Sequence, residues 1–533
     1  MSSTPSGALQ AVSPPTSFVE CWDRQAHKSG ERLALSDSRH SLTWRAAAEL
    51  SRLLARGLLS LGLHPGAVVA CWLPNWVELY VLRIACERAG LIWLPIPANL
   101  REREIRLVLD QARPTALVVP ERFRDRDYAA VARSLLRKKG PAPPRLIVVP
   151  SQPGSGDAMT LDEVAHRGGL PSAPTPASPS GEPLVILPTS GSSGVPKFAQ
   201  FRVSAWLLRG RTQAQLFDLR EDDVIVSLTQ GIGPSIIPLF AAPVVGAAVH
   251  LVDQFHPEDV MRTLGLIRPT LVCAVPAQLT TLIHQSAWPP PGLQRLRIWY
   301  STGADRPRAT AERLEATTPG IALSGYGGVD FGGWAVPSPS DPPEIRYETV
   351  GQPRAGAELR VVDESGRDVP DGDVGEIWGR GPCCADGYFR DEVATRERWT
   401  PDGWFRTSDL GHWDSAGDLV IVGRTGEVIR RGGRSIHPEE IEGLLSAYPR
   451  ILKVAVVAMP DPVLGERVCA CVVPTPGQPL SLEDVTGYLR SRQIASFKLP
   501  ERLELFSDLP LTGDKIDRAA LRLLIRDRIQ DGS

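Results

Sequence analysis

A stretch rich in hydroxyl groups and glycine, LPTSGSSGVPK, runs from Leu187 to Lys197 and constrains the fold more than any other part of the chain. Glycines let a backbone turn tightly and bring its N–H groups close to an anion, while the hydroxyls and Lys197 add further donors. The apolar residues 184–187 predict a short buried strand that leads into a phosphate-binding loop. The Walker motif is excluded, because Gly194 lies three residues before Lys197 with Pro196 between them. A flexible linker is the alternative interpretation, although a linker needs neither the strand nor the Pro-Lys pair.

Composition favours a soluble, multidomain protein. The chain has 533 residues, of which 42% are hydrophobic and 23% charged, so more than one domain is expected. The net charge of −2 provides no general attraction to nucleic acid or to anionic membranes. The eight cysteines lack metal-ligand spacing, which favours reduced thiols in a cytoplasmic protein. We expect neither a signal peptide in residues 1–16 nor a membrane span in Ile236 to Val252, where proline and glycine interrupt the apolar stretch.

Composition and residue patterning differ between regions of the chain. Residues 1–16 are rich in Ser, Pro and Thr and are expected to form a disordered tail. Helical patterns then alternate with short apolar runs, which is typical of α/β folds with parallel strands. Closely spaced turn signals from Val350 to Val422 predict a β-rich subdomain. After Gly423 a new α/β unit begins.

Three further motifs carry candidate functional residues. The sequence GYGGVD, Gly325 to Asp330, leaves room for a flat ligand on Tyr326, and Asp330 could reach a divalent cation. A tight turn beside a core tyrosine explains the same residues equally well. In DGWFRTSDLG, Asp409 can accept both hydroxyls of a ribose. Near the C-terminus, LPLTGDKIDR presents Lys515 in a loop.

Together with RTGEVIRRGGRSIHPEEIE, Arg424 to Glu442, these motifs in this order resemble the adenylate-forming superfamily. That superfamily contains acyl-CoA synthetases, peptide-synthetase adenylation domains and luciferases. The resemblance implies a large N-terminal α/β domain with a β-rich subdomain, residues 17–423. It also implies a small, mobile C-terminal α+β lid, residues 424–533, with a hinge near 424–426. Composition and periodicity alone indicate no more than several α/β domains.

The resemblance also implies a reaction in two steps. A carboxylate attacks the α-phosphate of Mg-ATP to form an acyl-adenylate, and a thiol then takes the acyl group. Lys515 and Lys197 would be catalytic, Asp330 would bind Mg²⁺, and Gly432 and Gly433 would line the tunnel for the pantetheine arm. The residues that would bind ATP or AMP are Thr189, Ser190, Gly191, Ser192, Ser193, Gly194, Gly303, Ala304, Gly325, Tyr326, Gly327, Asp409 and Arg424.

Several positions depart from the usual pattern of the superfamily. Y-G-x-T-E reads Y-G-G-V-D, so Val329 replaces a threonine and Asp330 is one methylene shorter than glutamate. Magnesium still accepts an aspartate oxygen. T-G-D reads T-S-D, which keeps the carboxylate, and Gly426 occupies the hinge position that is usually Asp or Lys. Because Lys515, Lys197 and Asp409 are all present, an active enzyme is expected; a nucleotide-binding homologue with impaired catalysis is the alternative.

The expected substrate is a bulky apolar or ring-bearing carboxylic acid. Alignment to amino-acid-activating relatives puts Gly233 where they have an aspartate, so a buried substrate ammonium would lack a partner. Small residues, apolar walls and two indoles would form the pocket. The pocket residues are Gly233, Pro234, Ile237, Cys273, Trp299, Ser301, Gly328, Gly333 and Trp334. The alternative is that the tryptophans are ordinary core residues.

The sequence is compatible with two acceptors of the acyl group, CoA and a carrier protein. R-G-G-R-S-I-H-P looks more like CoA ligases, but aryl-acid activators that load the phosphopantetheine of an acyl carrier protein share the glycines. Arg430, Arg431 and Arg434 would either meet the 3′-phosphate of CoA or form a solvated basic face. ATP, Mg²⁺ and CoA, or carrier-protein phosphopantetheine, are the implied cofactors. A role in secondary metabolism is expected, with no nucleic acid and no integral membrane association; the oligomeric state is undetermined.

Overall fold

The structure is a computed structural model that describes residues 14–137, 143–151, 158–174, 185–189, 197–229, 237–304, 306–354, 356–431, 434–461, 464–512 and 515–530. Within these ranges helices and strands alternate along much of the chain, as the apolar pattern predicts. The helices are α1 (Phe18–Lys28), α2 (Trp44–Ser60), α3 (Val77–Ala89), α4 (Glu102–Ala112), α5 (Tyr128–Arg137), α6 (Leu161–Gly169), α7 (Val203–Leu216), α8 (Ala242–Val245), α9 (Pro257–Ile267), α10 (Pro276–Ile283), α11 (Arg308–Thr317), α12 (Pro343–Glu348), α13 (Glu392–Arg398), α14 (Pro438–Ser446), α15 (Leu482–Ser491) and α16 (Arg518–Gln530).

The strands are β1 (Leu33–Ser36), β2 (Ser41–Thr43), β3 (Val68–Trp72), β4 (Ile92–Ile96), β5 (Ala116–Pro120), β6 (Arg122–Phe123), β7 (Arg126–Asp127), β8 (Arg145–Val149), β9 (Met159–Thr160), β10 (Val185–Thr189), β11 (Lys197–Phe201), β12 (Val224–Ser227), β13 (Ala248–Leu251), β14 (Leu271–Ala274), β15 (Ile298–Thr302), β16 (Ile321–Gly328), β17 (Gly332–Ala335), β18 (Glu358–Val362), β19 (Gly375–Arg380), β20 (Gly387–Tyr388), β21 (Phe405–Trp413), β22 (Leu419–Arg424), β23 (Ile429–Arg431), β24 (Arg434–Ile436), β25 (Ile451–Asp461), β26 (Gly465–Pro474), β27 (Arg502–Leu505), β28 (Leu511–Thr512) and β29 (Lys515–Ile516).

Two large, mostly parallel sheets form the body of the described N-terminal part. Their strand orders are β17-β16-β15-β14-β12-β13-β1-β2 and β20-β11-β10-β4-β3-β5-β8-β9. Every residue of β3, β4 and β5 is buried, as expected for parallel strands covered on both faces. One apolar cluster contains residues of both sheets together with residues of α2, α3 and α7. Helix α3 is buried along its whole length, so it belongs to the core between the sheets.

The predicted phosphate-binding segment connects two antiparallel strands. β10 and β11 pair in a register that runs from Val185 opposite Phe201 to Thr189 opposite Lys197. The predicted buried strand before the loop is therefore confirmed, and both ends of the loop are held by the sheet. Residues 190–196, which include Ser190, Gly191, Ser192, Ser193 and Gly194, lie outside the described residues.

The β-rich subdomain and the C-terminal unit also match the predictions. β18, β19, β21 and β22 form an antiparallel sheet within the range in which turn signals cluster. The C-terminal unit, defined here as residues 429–530, has a sheet of order β24-β23-β26-β25 with β27 beside β26. Alternate residues of β25 pack into two apolar clusters, one with α14 and α15 and the other with α16. The protein is thus a mixed α/β fold with a large N-terminal part and a small C-terminal part.

The cysteines of the protein are free thiols. All eight cysteines are unpaired, and every one except the half-buried Cys384 is buried. Burial raises the pKa of the Cys86 and Cys273 thiols and keeps them neutral. Among the helices in the described ranges, none has an apolar stretch long enough to cross a membrane.

Candidate active site

Three elements meet at the carboxylate of Asp409. Asp409 on β21 lies directly opposite Arg424 on β22, and the Arg424 Nε donates a 2.7 Å hydrogen bond to its Oδ1. From β16, the Tyr326 hydroxyl donates a 2.9 Å hydrogen bond to Oδ2. Burial, followed by the charge of Asp409, raises the pKa of the Tyr326 phenol, so that the hydroxyl remains a donor. Each carboxylate oxygen keeps a lone pair for a further donor such as a ribose hydroxyl.

A strained turn holds Asp409 in place. Ser408 has φ of +63°, a left-handed conformation that favours glycine, and this is the T-S-D position where the superfamily usually has glycine. Two hydrogen bonds offset the conformational cost of this backbone angle. Ser408 N donates to Glu376 Oε1 at 2.9 Å, and Arg398 Nη1 donates to Ser408 Oγ at 2.7 Å. Thr407 Oγ1 accepts a 2.9 Å hydrogen bond from the Asp409 amide. The serine therefore keeps the local backbone shape that presents the carboxylate.

The lysine predicted as catalytic lies next to this cluster. Lys515 on β29 pairs with β28 in a short hairpin, and its Cε is 3.7 Å from the position that a Cβ on Gly303 would occupy. Burial by the surrounding protein and the charge of Arg424 lower the pKa of the Lys515 ammonium, although water still reaches the side chain. The carboxylates of Asp409 and Asp330 act in the opposite direction. The side chain thus lies within electrostatic range of both carboxylates.

Asp330 is suited to hold a cation. Its Oδ1 is buried and has no hydrogen-bond partner among the described residues. Burial raises the pKa of the Asp330 carboxyl, while the Tyr388 hydroxyl and the charges of Arg398 and Lys197 act against that rise. No cluster of three or more potential metal-ligating side chains occurs in the described ranges. A single carboxylate fits Mg²⁺, which commonly takes one or two protein carboxylates and completes its shell with phosphates and water.

Lys197 lies within electrostatic range of Asp330. Its ammonium is 5.2 Å from the centre of the Tyr388 ring and 3.9 Å from the carboxylate of Glu397. Tyr388 on β20 pairs beside β11 through Ala199, which brings its hydroxyl to Asp330. The structure therefore brings Lys197 and Asp330 together through a tyrosine that the sequence analysis did not select.

The predicted acid pocket is brought together only in part. Cys273 and Tyr300 lie opposite each other on β14 and β15, and both face the apolar cluster between the two sheets. Ile237 is buried in the same cluster. A Cβ on Gly325 would be 2.4 Å from the Tyr300 hydroxyl, so the glycine makes room for this ring. Gly233 and Pro234 lie outside the described residues.

Trp299 and Ser301 lie on the opposite face of the sheet from Cys273. Successive residues of a strand point to opposite faces, and Trp299 packs with α9, α10 and α11 instead. The Trp299 Nε1 donates to Thr318 Oγ1 at 2.9 Å, and the Trp299 ring centre is 5.7 Å from that of Trp288. Because these contacts are those of a core residue, we leave Trp299 and Ser301 out of the proposed pocket.

Trp334 is also part of a core. It is fully buried, and its ring centre is 4.2 Å from that of Phe331 in the cluster that joins β16 and β17 to the β-rich subdomain. A Cβ on Gly328 would be 2.4 Å from the same Phe331 ring. A Cβ on Gly333 would instead point toward the guanidinium of Arg209 on α7. Of these three expected pocket residues, Gly333 alone faces α7.

Few of the residues expected to serve the second step fall within the described part of the chain. Gly432 and Gly433 lie outside the described residues, as does the side chain of Arg434. Arg431 donates a 2.7 Å hydrogen bond to Glu501, so it is not a free ligand for a phosphate. Near the predicted hinge, Arg522 Nη2 donates to the Gly426 carbonyl at 3.2 Å.

Helix α14 of the C-terminal unit contacts β22 just before the predicted hinge. A Cβ on Gly423 would be 2.6 Å from Glu439 Oε2. Burial, followed by the charge of Glu442, raises the pKa of the Glu439 carboxyl to about 8. Arg518 acts against that rise and donates a 2.6 Å hydrogen bond to Glu442.

Sequence reasoning missed the residues that support the site. Tyr388, Arg398 and Arg209 fall in no recognised motif, and only strand pairing or packing brings them to the site. Tyr300 adjoins Trp299, which was selected instead, and strand alternation is the signal that places Tyr300 on the same face as Cys273.

Comparison with known proteins identifies similar chains. A family model described as "AMP-binding enzyme" matches residues 22–389, and one described as "AMP-binding enzyme C-terminal domain" matches residues 440–515. The chain is 34% identical over 530 residues to a salicylyl-CoA synthase / salicylate adenylyltransferase of Streptomyces sp, covering 97% of this chain and 94% of the relative. It is 31% identical to a salicyl-AMP ligase / salicyl-S-ArCP synthetase of Mycobacterium tuberculosis, covering 93% and 88%.

A solved structure supports the fold alone. An anthranilate CoA ligase in complex with anthranoyl-AMP superposes with a TM-score of 0.88 over 97% of this chain and 99% of that one. The sequence identity is 22%.

Proposed function

The chain belongs to the AMP-binding enzyme family, and on that premise we propose that it is an ATP-dependent acid–CoA ligase for a ring-bearing or bulky apolar carboxylic acid. Such a ligase forms an acyl-adenylate and pyrophosphate, and then transfers the acyl group to the thiol of CoA with release of AMP. The relative with 34% identity bears a name that combines both activities, with salicylate as the acid.

The observation that carries the proposal is the position of Lys515 beside Gly303, close to Asp409 and Asp330. A carboxylate oxygen that attacks the α-phosphorus forms a P–O bond as the bond to pyrophosphate breaks, and negative charge accumulates on the phosphate oxygens. A lysine held beside that point stabilises this charge. The Asp409 carboxylate would hold the ribose, and the Tyr326 ring would lie along the adenine.

The phosphate tail would extend toward β10 and β11. Lys197 stands at the end of that hairpin, where its positive charge would bind the β- and γ-phosphates with the loop 190–196. Asp330 would hold Mg²⁺ through its Oδ1, which has no hydrogen-bond partner among the described residues. The bound ion would neutralise part of the phosphate charge.

In the second step the thiol attacks the acyl carbon, a C–S bond forms, and the bond to AMP breaks. Gly432 and Gly433 would line the path of the pantetheine arm, because residues without Cβ let a thin chain pass. The C-terminal unit would turn about residues 424–426 between the two steps. Its closed contacts, Glu439 against Gly423 and Arg522 against Gly426, would have to separate.

Acid-dependent exchange of pyrophosphate into ATP tests the first step. With a panel of aryl and alkyl carboxylic acids, we expect exchange with ring-bearing acids and, after CoA is added, AMP and an acyl-CoA in equal amounts. Exchange with α-amino acids only would contradict the proposed substrate class. If no acid supports exchange while ATP still binds, the impaired homologue is the correct interpretation.

Transfer to a carrier protein is the second candidate. It is favoured by the relative named a salicyl-S-ArCP synthetase and by the ion pair of Arg431 with Glu501, which occupies one of the arginines expected to meet CoA. Adding either CoA or a phosphopantetheinylated aryl carrier protein to the adenylation reaction separates the two acceptors. Intact-mass measurement of the acylated carrier protein, with no acyl-CoA formed, would favour this second candidate.

A further inference from the structure

An arginine with no ion-pair partner among the described residues lies beside a predicted residue of the acid pocket, Gly333. Arg209 lies on α7, and a Cβ on Gly333 would be 2.2 Å from its Nη2 atom. A Cβ on Gly332 would be 3.4 Å from Nη1. A side chain at position 333 would displace the guanidinium, so Gly333 leaves the space that it occupies.

No carboxylate in the described part of the chain forms an ion pair with Arg209, and within it the guanidinium donates no hydrogen bond. Its polar neighbours are the Tyr300 hydroxyl and the Cys383 thiol, and its guanidinium carbon is 5.2 Å from the Trp206 ring centre. The segment 230–236, which lies outside the described residues, contains no aspartate or glutamate. The nearby Arg202 behaves differently, because it pairs with Asp386 at 2.8 Å.

The charge of Arg209 persists at neutral pH. Burial lowers the pKa of the guanidinium to about 10, still well above 7. A cation removed from bulk water without a partner costs free energy, which a ligand oxygen at hydrogen-bond distance would offset. The Arg209 side chain is half-buried, so part of its surface remains exposed.

The position of Arg209 relative to the reaction centre fits one end of a substrate. Tyr300 and Thr302 point to the same face of β15, about 7 Å apart along the strand. Thr302 donates a 2.7 Å hydrogen bond to the Gly325 carbonyl, and Gly303 follows beneath Lys515. An acid with its carboxylate under Lys515 would therefore extend past Tyr300 toward Arg209.

We propose that Arg209 binds the far end of the acid, and that the preferred acid carries an oxygen substituent that accepts hydrogen bonds from the guanidinium. This inference rests on the proposed function of the same site. The substituent is a carboxylate, or a hydroxyl or carbonyl oxygen, remote from the reacting carboxyl group. A guanidinium offers two parallel N–H donors to such an oxygen.

The test uses benzoic acids that differ only in the substituent at the meta or para position: carboxylate, hydroxyl or methyl. The readout is kcat/KM for pyrophosphate exchange. A charge-assisted hydrogen bond predicts that an oxygen substituent is preferred over methyl by roughly 10- to 150-fold at one of the two positions. Preference for carboxylate over hydroxyl would identify a dianionic substrate, and the reverse would identify a hydroxy or keto acid.

Arg209→Met keeps the length and apolar stem of the side chain but removes the donors. We expect it to abolish the preference for the oxygen substituent while exchange with the methyl acid remains or improves. Arg202→Met, at the start of the same helix, is the matched control and should leave the preference unchanged. Thermal unfolding of both variants reports any structural loss separately from the ratio of the two acids.

The outcomes separate this inference from the proposed function. Equal kcat/KM for the methyl and oxygen-bearing acids in the unmodified protein would overturn the role of Arg209 and leave the ligase assignment intact. An unchanged preference in Arg209→Met would do the same. The absence of exchange with every acid would overturn the proposed function, and the inference with it.

Discussion

The Lys515 side chain lies over Gly303 at the end of β15, with its Cε 3.7 Å from the position of a Cβ on that glycine. This contact joins the C-terminal unit to the sheet that also holds Tyr326. A lysine 212 residues along the chain is thus brought within electrostatic range of Asp409 and Asp330. In the proposed mechanism this arrangement would serve the step that forms the adenylate.

Lys515→Ala is expected to lower the rate of adenylate formation by about two to three orders of magnitude, as is typical when one transition-state charge contact is removed. ATP binding should change little, because Asp409 and Arg424 remain. Lys453→Ala is the control, since Lys453 pairs with Asp508 on the surface of the same unit. Near-normal pyrophosphate exchange in Lys515→Ala would remove the lysine from the proposed mechanism.

Tyr326→Phe tests whether the Tyr326 hydroxyl contributes to stability or to nucleotide binding. The substitution removes the 2.9 Å hydrogen bond to the buried Asp409 but keeps the aromatic ring. We expect the free energy of unfolding to fall by about 1–2 kcal/mol, with little change in the KM for ATP. The control is Tyr448→Phe in the C-terminal unit, where the Tyr448 hydroxyl accepts a 3.2 Å hydrogen bond from Arg450. This substitution should lower the free energy of unfolding by less. A large rise in KM for ATP with unchanged stability would show that the hydroxyl acts on the nucleotide.

Asp330→Asn should have opposite effects on stability and activity. Burial raises the pKa of this carboxyl, which means that the protein disfavours its charged form, so the amide should raise the melting temperature slightly. Activity should fall by about two orders of magnitude at fixed Mg²⁺, because an amide oxygen is a weaker ligand. Titration of exchange activity with MgCl₂ measures the effect, and an unchanged Mg²⁺ dependence would contradict the assignment.

Glu439 predicts a pH-dependent stability. Its pKa is about 8 in the folded protein, against an ordinary value of 4.5, so between these values the folded state holds a proton that the unfolded state has lost. The contribution of this group to stability therefore falls as pH rises from about 4.5 to about 8 and then levels off. The charges of Glu442 and Glu427 add to the rise of the Glu439 pKa, and the charge of Arg518 acts against it.

Melting temperatures from pH 5 to 9 test this expectation. As pH rises across that window, the melting temperature of Glu439→Gln should fall less than that of the unmodified protein. The neighbouring Glu440→Gln removes an exposed carboxylate that pairs with Lys498, and its curve should keep the original shape. Identical slopes for Glu439→Gln and the unmodified protein would mean that the carboxyl is ionised throughout.

Much of this protein is encoded in local sequence patterns. The alternation of apolar runs and helices determined the α/β class, and the strand before LPTSGSSGVPK is the observed β10. The motifs also singled out Lys515, Asp409, Arg424, Tyr326 and Asp330, which the structure brings close together. Local patterns suffice here because strands, turns and glycine-rich segments follow from the conformational preferences of a few adjacent residues.

Packing decided the rest, because it depends on which distant residues become neighbours. Strand alternation sends Trp299 into a core and leaves Tyr300 beside the pocket, a one-residue difference that composition cannot resolve. Ser408 occupies a left-handed position in which Glu376 and Arg398 hydrogen-bond to it, and both partners are distant in the chain. The role proposed for Arg209 depends on packing, because α7 places it against Gly333 with no carboxylate partner in the described residues. The sequence by itself determined the fold class and the motif residues, while the tertiary structure decided how the site is completed, since burial and pairing of charges arise only between segments far apart in the chain.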